Sequence, residues 1–447
     1  MTSPERSFGI DELFVSTTDH KGHIRLTNHV FVRVSGYARE ELIGRAHNVI
    51  RHADMPRAVF RVFWQFLEAG RPVAAYVKNR AKDGAHYWVM AIAIPVEGGY
   101  LSVRLKPSSP LFEVARELYA DVLAVEQSVE GGDVRRRKAS IEAGEARLAE
   151  GLAALGHDSY ESFMRAAFAA EVAARDAALA GRDVARREVS DADPGLRAVA
   201  DTAERTLALM EDLRSRLAGH GELSETLRRK SGFVQELADS IRLFSLNAIL
   251  AASRLGEGAA LGAVARLLRT RSDAAAPDID ALAVDLDETV GLLGEAAFRA
   301  AAGTLQTEMM VAFVAELLDD HVAREEAASQ LRLLVDAVGD ATVAVVEAMA
   351  AVEAGLDRLA GHSRAVEDHL SVIRALEING RIEAARASDT EQVRVLFEEI
   401  SHQVEAASDQ LHDFSALDER SDRDDGTAAD ESRERVAAVR EAVAALV

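Results

Sequence analysis

The chain has 447 residues, a formal net charge of -22 and no cysteine. This length predicts two or three domains, since a single domain usually contains roughly 100–200 residues. The acidic surface would repel phosphate backbones and anionic lipids, which argues against sequence-independent binding to nucleic acid or to a membrane surface. Without cysteine there is no disulfide, thiolate metal ligand, thiol nucleophile or cysteinyl adduct, so redox chemistry would need a bound cofactor.

Hydropathy and composition suggest a cytoplasmic protein with a long helical part. No stretch approaches the roughly 20 consecutive apolar residues that cross a bilayer, and the opening sequence lacks the basic and then apolar pattern of a secretory signal. Six of the eight prolines and both tryptophans, Trp64 and Trp88, lie at or before residue 110. Beyond that point Ala, Leu, Glu, Arg and Val dominate, which predicts long helices.

The first 108 residues predict a mixed α+β domain. Short runs rich in β-branched and aromatic residues, bounded by turn residues, indicate strands. Five strands are predicted, at 14–19, 23–27, 73–80, 85–95 and 99–106. Short helices are predicted within 28–45 and a longer one at 55–69, where Val59, Phe63 and Phe66 share a face. An antiparallel five-stranded sheet with helices on one face forms a cup that can hold a flat ligand.

Four motifs in this domain carry a resemblance to a known family. They are Ser-Thr-Thr-Asp at 16–19, Phe-Val-Arg-Val-Ser-Gly-Tyr at 31–37, His-Asn-Val-Ile-Arg-His-Ala-Asp-Met-Pro at 47–56 and Val-Lys-Asn-Arg-Ala-Lys-Asp-Gly-Ala-His-Tyr-Trp-Val at 77–89. From Ser16 to Arg104 the chain closely resembles the PAS sensor domain of Aer-type aerotaxis receptors. The resemblance implies a PAS fold that binds FAD non-covalently and reports respiratory status through the redox state of the flavin.

The expected cofactor site follows partly from this resemblance. Positions implicated in flavin binding in the family are occupied here by Asn28, Arg51, His52, Asp54 and Trp64. Asn79 is added from side-chain chemistry, because an amide suits the polar edge of a flavin. The other requirements are an apolar slot, an aromatic wall and cations for phosphates. One departure is Pro72-Val73, where the family usually has Pro-Trp, so one expected pocket aromatic is missing.

Each of these residues could instead have a structural role without binding a cofactor. Trp64 and Trp88 could be core residues, Arg51 a surface ion-pair partner, and Asp54 the cap of the following helix. Three histidines could hold haem, the less favoured cofactor: His47, His52 and His86. Helix 55–69, however, carries no histidine for the proximal ligand of one common haem-PAS arrangement. The lack of cysteine excludes the thiol adduct of LOV-type light sensing.

Residues 110–189 read as amphipathic helix interrupted at Gly131-Gly132 and at Gly156. The charge pattern is typical of a solvated helix face. A spacer and a dimerising helical bundle both agree with it.

An internal repeat is the most informative feature of the helical part. Residues 241–257 align without gaps on residues 373–389, and the copies share Ile, Arg, Asn, Ala and Arg. Both resemble the cytoplasmic hairpin tip of methyl-accepting chemotaxis receptors, whose consensus runs Leu-Asn-Ala-Ala-Ile-Glu-Ala-Ala-Arg-Ala-Gly-Glu. The tip positions are occupied by Asn247, Arg254, Glu257, Asn379, Glu383 and Arg386. The copies depart from the consensus at Ala251 and at Gly380-Arg381.

Turns are predicted at 256–258 and 388–390. Two hairpins in one chain could form intramolecularly the four-helix bundle that a receptor builds by dimerising, although a homodimer is left open. The resemblance implies signalling partners such as the chemotaxis histidine kinase and its coupling protein.

The remaining sequence signals define the predicted domain boundaries. The polar run 269–273 and Pro277 predict a break in the return helix of the first hairpin, because proline lacks the helical amide. Residues 421–432 predict an acidic linker before a short terminal helix. The predicted domains are a PAS sensor (1–108), a helical linker (109–190), a first hairpin (191–330), a second hairpin (331–419) and an acidic tail (420–447).

These features together predict a signal-transduction sensor rather than an enzyme. In this interpretation the PAS domain binds FAD and reports redox, oxygen or energy state to a chemoreceptor-like helical output. The alternative is a helical adaptor whose PAS domain is empty or binds haem. No phosphate-cradling glycine loop, kinase histidine box or nucleophile–base arrangement stands out in the sequence.

Overall fold

One antiparallel sheet forms the centre of the N-terminal domain. The computed structural model describes residues 4–180, 194–219, 260–319 and 324–386, with scattered positions between 226 and 243 and between 395 and 441. The strands are Phe14–Asp19 (β1), Ile24–Thr27 (β2), Val73–Arg80 (β3), His86–Val96 (β4) and Gly99–Leu105 (β5). Their order is β2-β1-β5-β4-β3, with every neighbouring pair antiparallel. The predicted five-stranded antiparallel sheet is therefore confirmed.

Short helices between β2 and β3 pack on one side of this sheet. They are His29–Ser35 (α1), Arg39–Leu42 (α2), the 3-10 helix His47–Ile50 and Arg57–Glu68 (α3). Helix α1 ends at Gly36, whose φ of 72° lies in the left-handed region that glycine adopts without a Cβ penalty. Successive side chains of a strand point to opposite faces of the sheet, so every second one points toward α3. These side chains and those of α3 form the wall of a cup.

Three further helices pack against the N-terminal domain rather than extending away from it. They are Leu111–Glu130 (α4), Arg137–Ala154 (α5) and Tyr160–Leu179 (α6), and they are interrupted at the predicted glycines. The Tyr160 hydroxyl donates to the Ala74 carbonyl at 3.1 Å. The Phe112 ring lies 5.4 Å from the rings of Tyr76 and Trp88. The helical part therefore begins as a layer on the outer face of the sheet, and whether it also serves as a spacer or a dimerising bundle stays a prediction.

Long helices make up most of the rest of the described chain. They are Pro194–Gly219 (α7), Ala260–Asp319 (α8) and Arg324–Arg386 (α9). The Thr304 hydroxyl of α8 donates to the Met210 carbonyl of α7 at 3.3 Å. Helices α8 and α9 run antiparallel, since Asp278 pairs with His369 at 3.0 Å and Asp285 pairs with the earlier His362 at 2.5 Å.

The predicted break at Pro277 is wrong. Helix α8 continues through this proline, although an interior proline costs about 3 kcal/mol or more in lost hydrogen bonding and steric clash. Three fully buried neighbours, Ala275, Ile279 and Leu282, hold the helix on its packed face. Burying large aliphatic side chains contributes roughly 1.5–3 kcal/mol each, which is enough to offset one proline.

The chain separates into two compact units. One comprises Met1–Arg214, Ala297–Val345 and Glu431–Val447, and the other comprises Ser215–Ala296 and Val346–Asp430. The domain boundaries predicted for the helical part were placed from the sequence repeat and not from spatial compactness. They therefore stay predictions. None of the helices in the described ranges has the length and apolar character needed to span a membrane.

Candidate functional site

A cavity of about 250 Å³ lies between α3 and the sheet. Its apolar wall is formed by side chains of α3 and of the central strands, namely Phe60, Phe63, Trp64, Leu67, Val77, Ala91 and Ala93. Its polar wall includes Ser16, His47, Arg51, Asn79, Ser102 and Arg104. A mostly apolar slot with a few convergent polar groups is typical of a small-molecule site.

Two aromatic rings meet at one side of the cavity. The Trp64 ring lies 5.5 Å from the Tyr100 ring at an interplanar angle of 77°. Gly22, with a φ of 78°, approaches the same indole, and a Cβ there would lie 3.4 Å from it. Val73, at the position where the family usually has tryptophan, is fully buried and does not line the cavity. The aromatic wall is therefore built from Trp64 and Tyr100.

Arg104 places a buried positive charge at the polar wall. Only 4% of the residue is exposed, and its Nη2 donates to Ser16 Oγ at 2.9 Å and to His47 Nε2 at 2.7 Å. Burial lowers the pKa of Arg104 to about 10, so it stays charged at neutral pH. Burial, followed by the charge of Arg104, holds the pKa of His47 well below its usual value. The imidazole is therefore neutral and accepts the hydrogen bond.

Sequence reasoning gave no flavin-site role to Arg104, Ser16, His47 or Tyr100, although His47 was named as a haem candidate and Ser16 lies in a family motif. The available signal was the alternation of β5, where Tyr100, Ser102 and Arg104 occupy every second position of an otherwise apolar strand. A charged residue inside such a strand is unusual and indicates either a buried ion pair or a binding site.

Three predicted residues, Arg51, Trp64 and Asn79, come together in the cavity. Arg51 donates from Nη2 to the Met55 carbonyl at 3.0 Å, and its guanidinium lies 4.1 Å from the Phe60 ring centroid. Burial, and then the charge of nearby Arg57, lowers the pKa of Arg51. A backbone bridge joins Arg51 to Asn79, which is 3% exposed.

Asn28, His52 and Asp54 do not line this cavity. Asn28 is a structural link: its Oδ1 accepts from the amides of Phe31 and Val15, and its Nδ2 donates to a carbonyl of the chain before β1. Asp54 receives a hydrogen bond from Lys78 at 2.6 Å. Trp88 packs on the opposite face of the sheet against α4.

His52 lines a second cleft of about 550 Å³, which shares Asn48 and Arg51 with the cavity. The other charged residues around it are Arg57, Arg80, Glu126 and Glu130. The Glu126 carboxylate accepts from the backbone amides of Arg57 at 2.9 Å and Ala58 at 2.7 Å. A side chain of α4 therefore caps the N-terminus of α3.

A second carboxylate, Glu171 of α6, ties the outer face of the sheet to the start of α4. It is fully buried and accepts from the Tyr76 hydroxyl at 2.8 Å, the Ser109 hydroxyl at 2.7 Å and the Ser109 amide at 3.0 Å. It also accepts from the Ser108 amide at 2.5 Å. We call these four residues the Glu171 cluster.

The geometry does not favour haem. Of the three candidate histidines, His47 alone lines the cavity, and its Nε2 is bonded by Arg104. The rings of His52 and His86 lie 6.0 Å apart outside it. Within the described ranges, no group of three His, Asp or Glu side chains is arranged to hold a metal ion.

The tip residues are described only in the second repeat copy. Asn247, Arg254 and Glu257 lie outside the described residues, as do both predicted turns. On α9, Asn379 donates to the Ala375 carbonyl at 2.9 Å, and Arg386 donates to Glu383 at 2.9 Å. The Phe397 ring packs on Gly380, and Ser363 donates to the Leu411 carbonyl at 3.5 Å, so these two described positions after α9 follow each other in the direction opposite to α9.

Comparison with known proteins agrees with the fold and the motifs. The chain is 44% identical over 114 residues to the aerotaxis receptor of Escherichia coli, covering 24% of this chain and 22% of that protein. It is 29% identical over 82 residues to a nitrogen fixation regulatory protein of Klebsiella pneumoniae, covering 18% and 17%. The chain thus spans about a fifth of the length of these curated relatives.

A solved PAS domain from Colwellia psychrerythraea is 21% identical, covering 21% of this chain and 85% of that one with a TM-score of 0.19. Residues 26–102 match the family described as PAS fold. With the five-stranded sheet and the helices around its cavity, this match identifies the N-terminal domain as a PAS domain.

Proposed function

We propose that the PAS domain binds FAD without covalent attachment and that the chain is a signal-transduction sensor of redox, oxygen or energy state. The relative with 44% identity over this region is an aerotaxis receptor. The observation that carries the proposal is the cavity itself, in which an aromatic wall faces two arginines and an amide.

The residues present fit a flavin. The cavity of about 250 Å³ lies just below the roughly 300–1,000 Å³ of sites for drug-sized ligands, which suits a ring system alone. The adjoining cleft of about 550 Å³ carries Arg80 next to the shared Arg51, and arginine is well suited to phosphate oxygens, whereas Arg57 is bonded to Glu130 at 2.6 Å. This pair of spaces favours a dinucleotide over a smaller flavin.

Each wall has a separate role in this proposal. When bound, the flavin supplies reversible electron transfer. Trp64 and Tyr100 enclose the slot and exclude water, while Arg51, Asn79 and Arg104 offer hydrogen-bond donors to the polar edges of the ring. His47 stays neutral and orients Arg104 through its Nε2.

The helical part is proposed as the output. Glu126 and the Glu171 cluster bond α4 and α6 to both walls of the cavity, so a change in hydrogen bonding at the site would bias the packing of these helices. The repeat copies, including Asn379, Glu383 and Arg386, are proposed to contact signalling partners of the chemotaxis type.

An absorption spectrum of the purified full chain, before and after incubation with FAD, tests the proposal. We expect flavin bands that stay with the protein after gel filtration. Trp64→Ala should weaken FAD binding at least tenfold, whereas Trp88→Phe, on the opposite face of the sheet, should bind like the wild type. A wild-type protein that retains no flavin after reconstitution would refute the proposal.

A further inference from the structure

Arg104 carries a buried charge that no carboxylate in the described part of the chain neutralises. The residue is 4% exposed, and no carboxylate among the described residues pairs with it. Ser16 and neutral His47 accept from Nη2, while Nη1 is buried and has no hydrogen-bond partner within the described chain. The Phe31 ring, 5.3 Å from the guanidinium, adds only a weak attraction.

Burying a cation in this way costs free energy unless something supplies the missing negative charge. Sites that bind ligands often retain such unpaired groups, because the ligand completes the pairing. Arg104 lines the cavity directly, so a ligand there lies within reach of its charge.

We propose that Arg104 determines which redox form the cavity prefers, by selecting a planar ring that acquires negative charge on reduction. This inference rests on the proposed flavin binding. Uptake of two electrons and one proton from an external electron donor adds one net negative charge to a neutral ring. Arg104 attracts that charge through a medium of low dielectric constant, where the interaction is stronger than in water. Arg104 is therefore a specificity-determining residue that raises affinity for the reduced form over the oxidised form.

The test compares the affinities of the full chain for oxidised FAD and for FAD reduced with dithionite under anaerobic conditions. The wild type should bind the reduced form more tightly, so that the midpoint potential of bound FAD is more positive than that of free FAD. Arg104→Gln should lower the ratio of reduced to oxidised affinity at least tenfold, equal to about 30 mV for a two-electron couple. Arg104→Lys, which keeps the charge, should hold the ratio within about threefold of the wild type.

Arg25→Gln is the matched control, since Arg25 is exposed on β2 and does not line the cavity. It removes the same net charge and should leave the ratio unchanged. The wild-type measurement keeps the test valid if Arg104→Gln fails to fold. Tighter binding of oxidised FAD by the wild type, or an unchanged ratio in folded Arg104→Gln, would overturn this inference while flavin binding stands. Failure of the wild type to bind either form would overturn the proposed function and this inference with it.

Discussion

Replacing Glu171 with alanine should destabilise the N-terminal unit by about 3 kcal/mol. The carboxylate is fully buried and accepts from Tyr76, Ser108 and Ser109. After truncation the Ser108 amide can reach water and the two hydroxyls, 3.4 Å apart, can pair with each other. The buried Ser109 amide keeps no partner, which costs about 2 kcal/mol, and the lost side-chain packing adds about 1 kcal/mol.

Urea unfolding followed by tryptophan fluorescence measures this change. Trp64 and Trp88, the two tryptophans of the chain, both lie in the PAS domain, so the signal reports on that unit. With a urea m-value of about 2 kcal/mol/M, the midpoint should fall by about 1.5 M. Glu171→Gln keeps an acceptor for the amide and should lose only about 1 kcal/mol. Glu113→Ala removes an exposed carboxylate of α4 that pairs with Arg116 and should lower the midpoint by no more than about 0.3 M; an equally small fall for Glu171→Ala would refute the reasoning.

Other contacts in the structure lead to further predictions. Glu126→Ala should cost about 2 kcal/mol and speed amide exchange at the start of α3, because it removes the acceptor for two backbone amides; unchanged exchange there would contradict the capping role. Stability should fall as pH drops below about 6.5, since His47 binds a proton in the unfolded chain but stays neutral when folded, and His47→Gln should flatten this slope in urea titrations at pH 5–7. Gly380→Ala should lower the melting temperature because its Cβ would lie 2.3 Å from the Phe397 ring, whereas Gly291→Ala, with nothing within 4 Å, should raise it. Light scattering after size exclusion should give the mass of one chain if the two hairpins pair intramolecularly, and an obligate dimer paired through them would count against that hypothesis.

The N-terminal fold could be predicted because its signals are local. Strand alternation, turn glycines such as Gly84 and the amphipathic face of α3 each specify structure within a few residues. Arg51 and Trp64 were found through the family resemblance, which rests on motifs that are each one contiguous stretch. These features do not depend on which strands become neighbours.

Local sequence patterns could not identify the roles of Arg104, Glu126 and Glu171, because these roles depend on partners that are distant in the sequence. Arg104 meets Ser16 only because β5 pairs with β1. Glu126 and Glu171 look like solvated helix residues in the sequence, yet each accepts hydrogen bonds from residues more than 60 positions away. Pro277 shows the opposite error, in which a strong local signal is overridden by packing along α8.

The placement of these carboxylates connects the cavity to the helices through both of its walls. Strand β3 carries Asn79 toward the cavity and Tyr76 toward Glu171, so one strand links the site to α6 and to the start of α4. On the other wall, α3 carries Trp64 into the cavity while its N-terminus is held by Glu126 of α4. Buried charge-assisted hydrogen bonds resist stretching more than apolar contacts do, because each broken bond leaves a desolvated group. A displacement of either wall should therefore move α4 with it rather than be absorbed in the core.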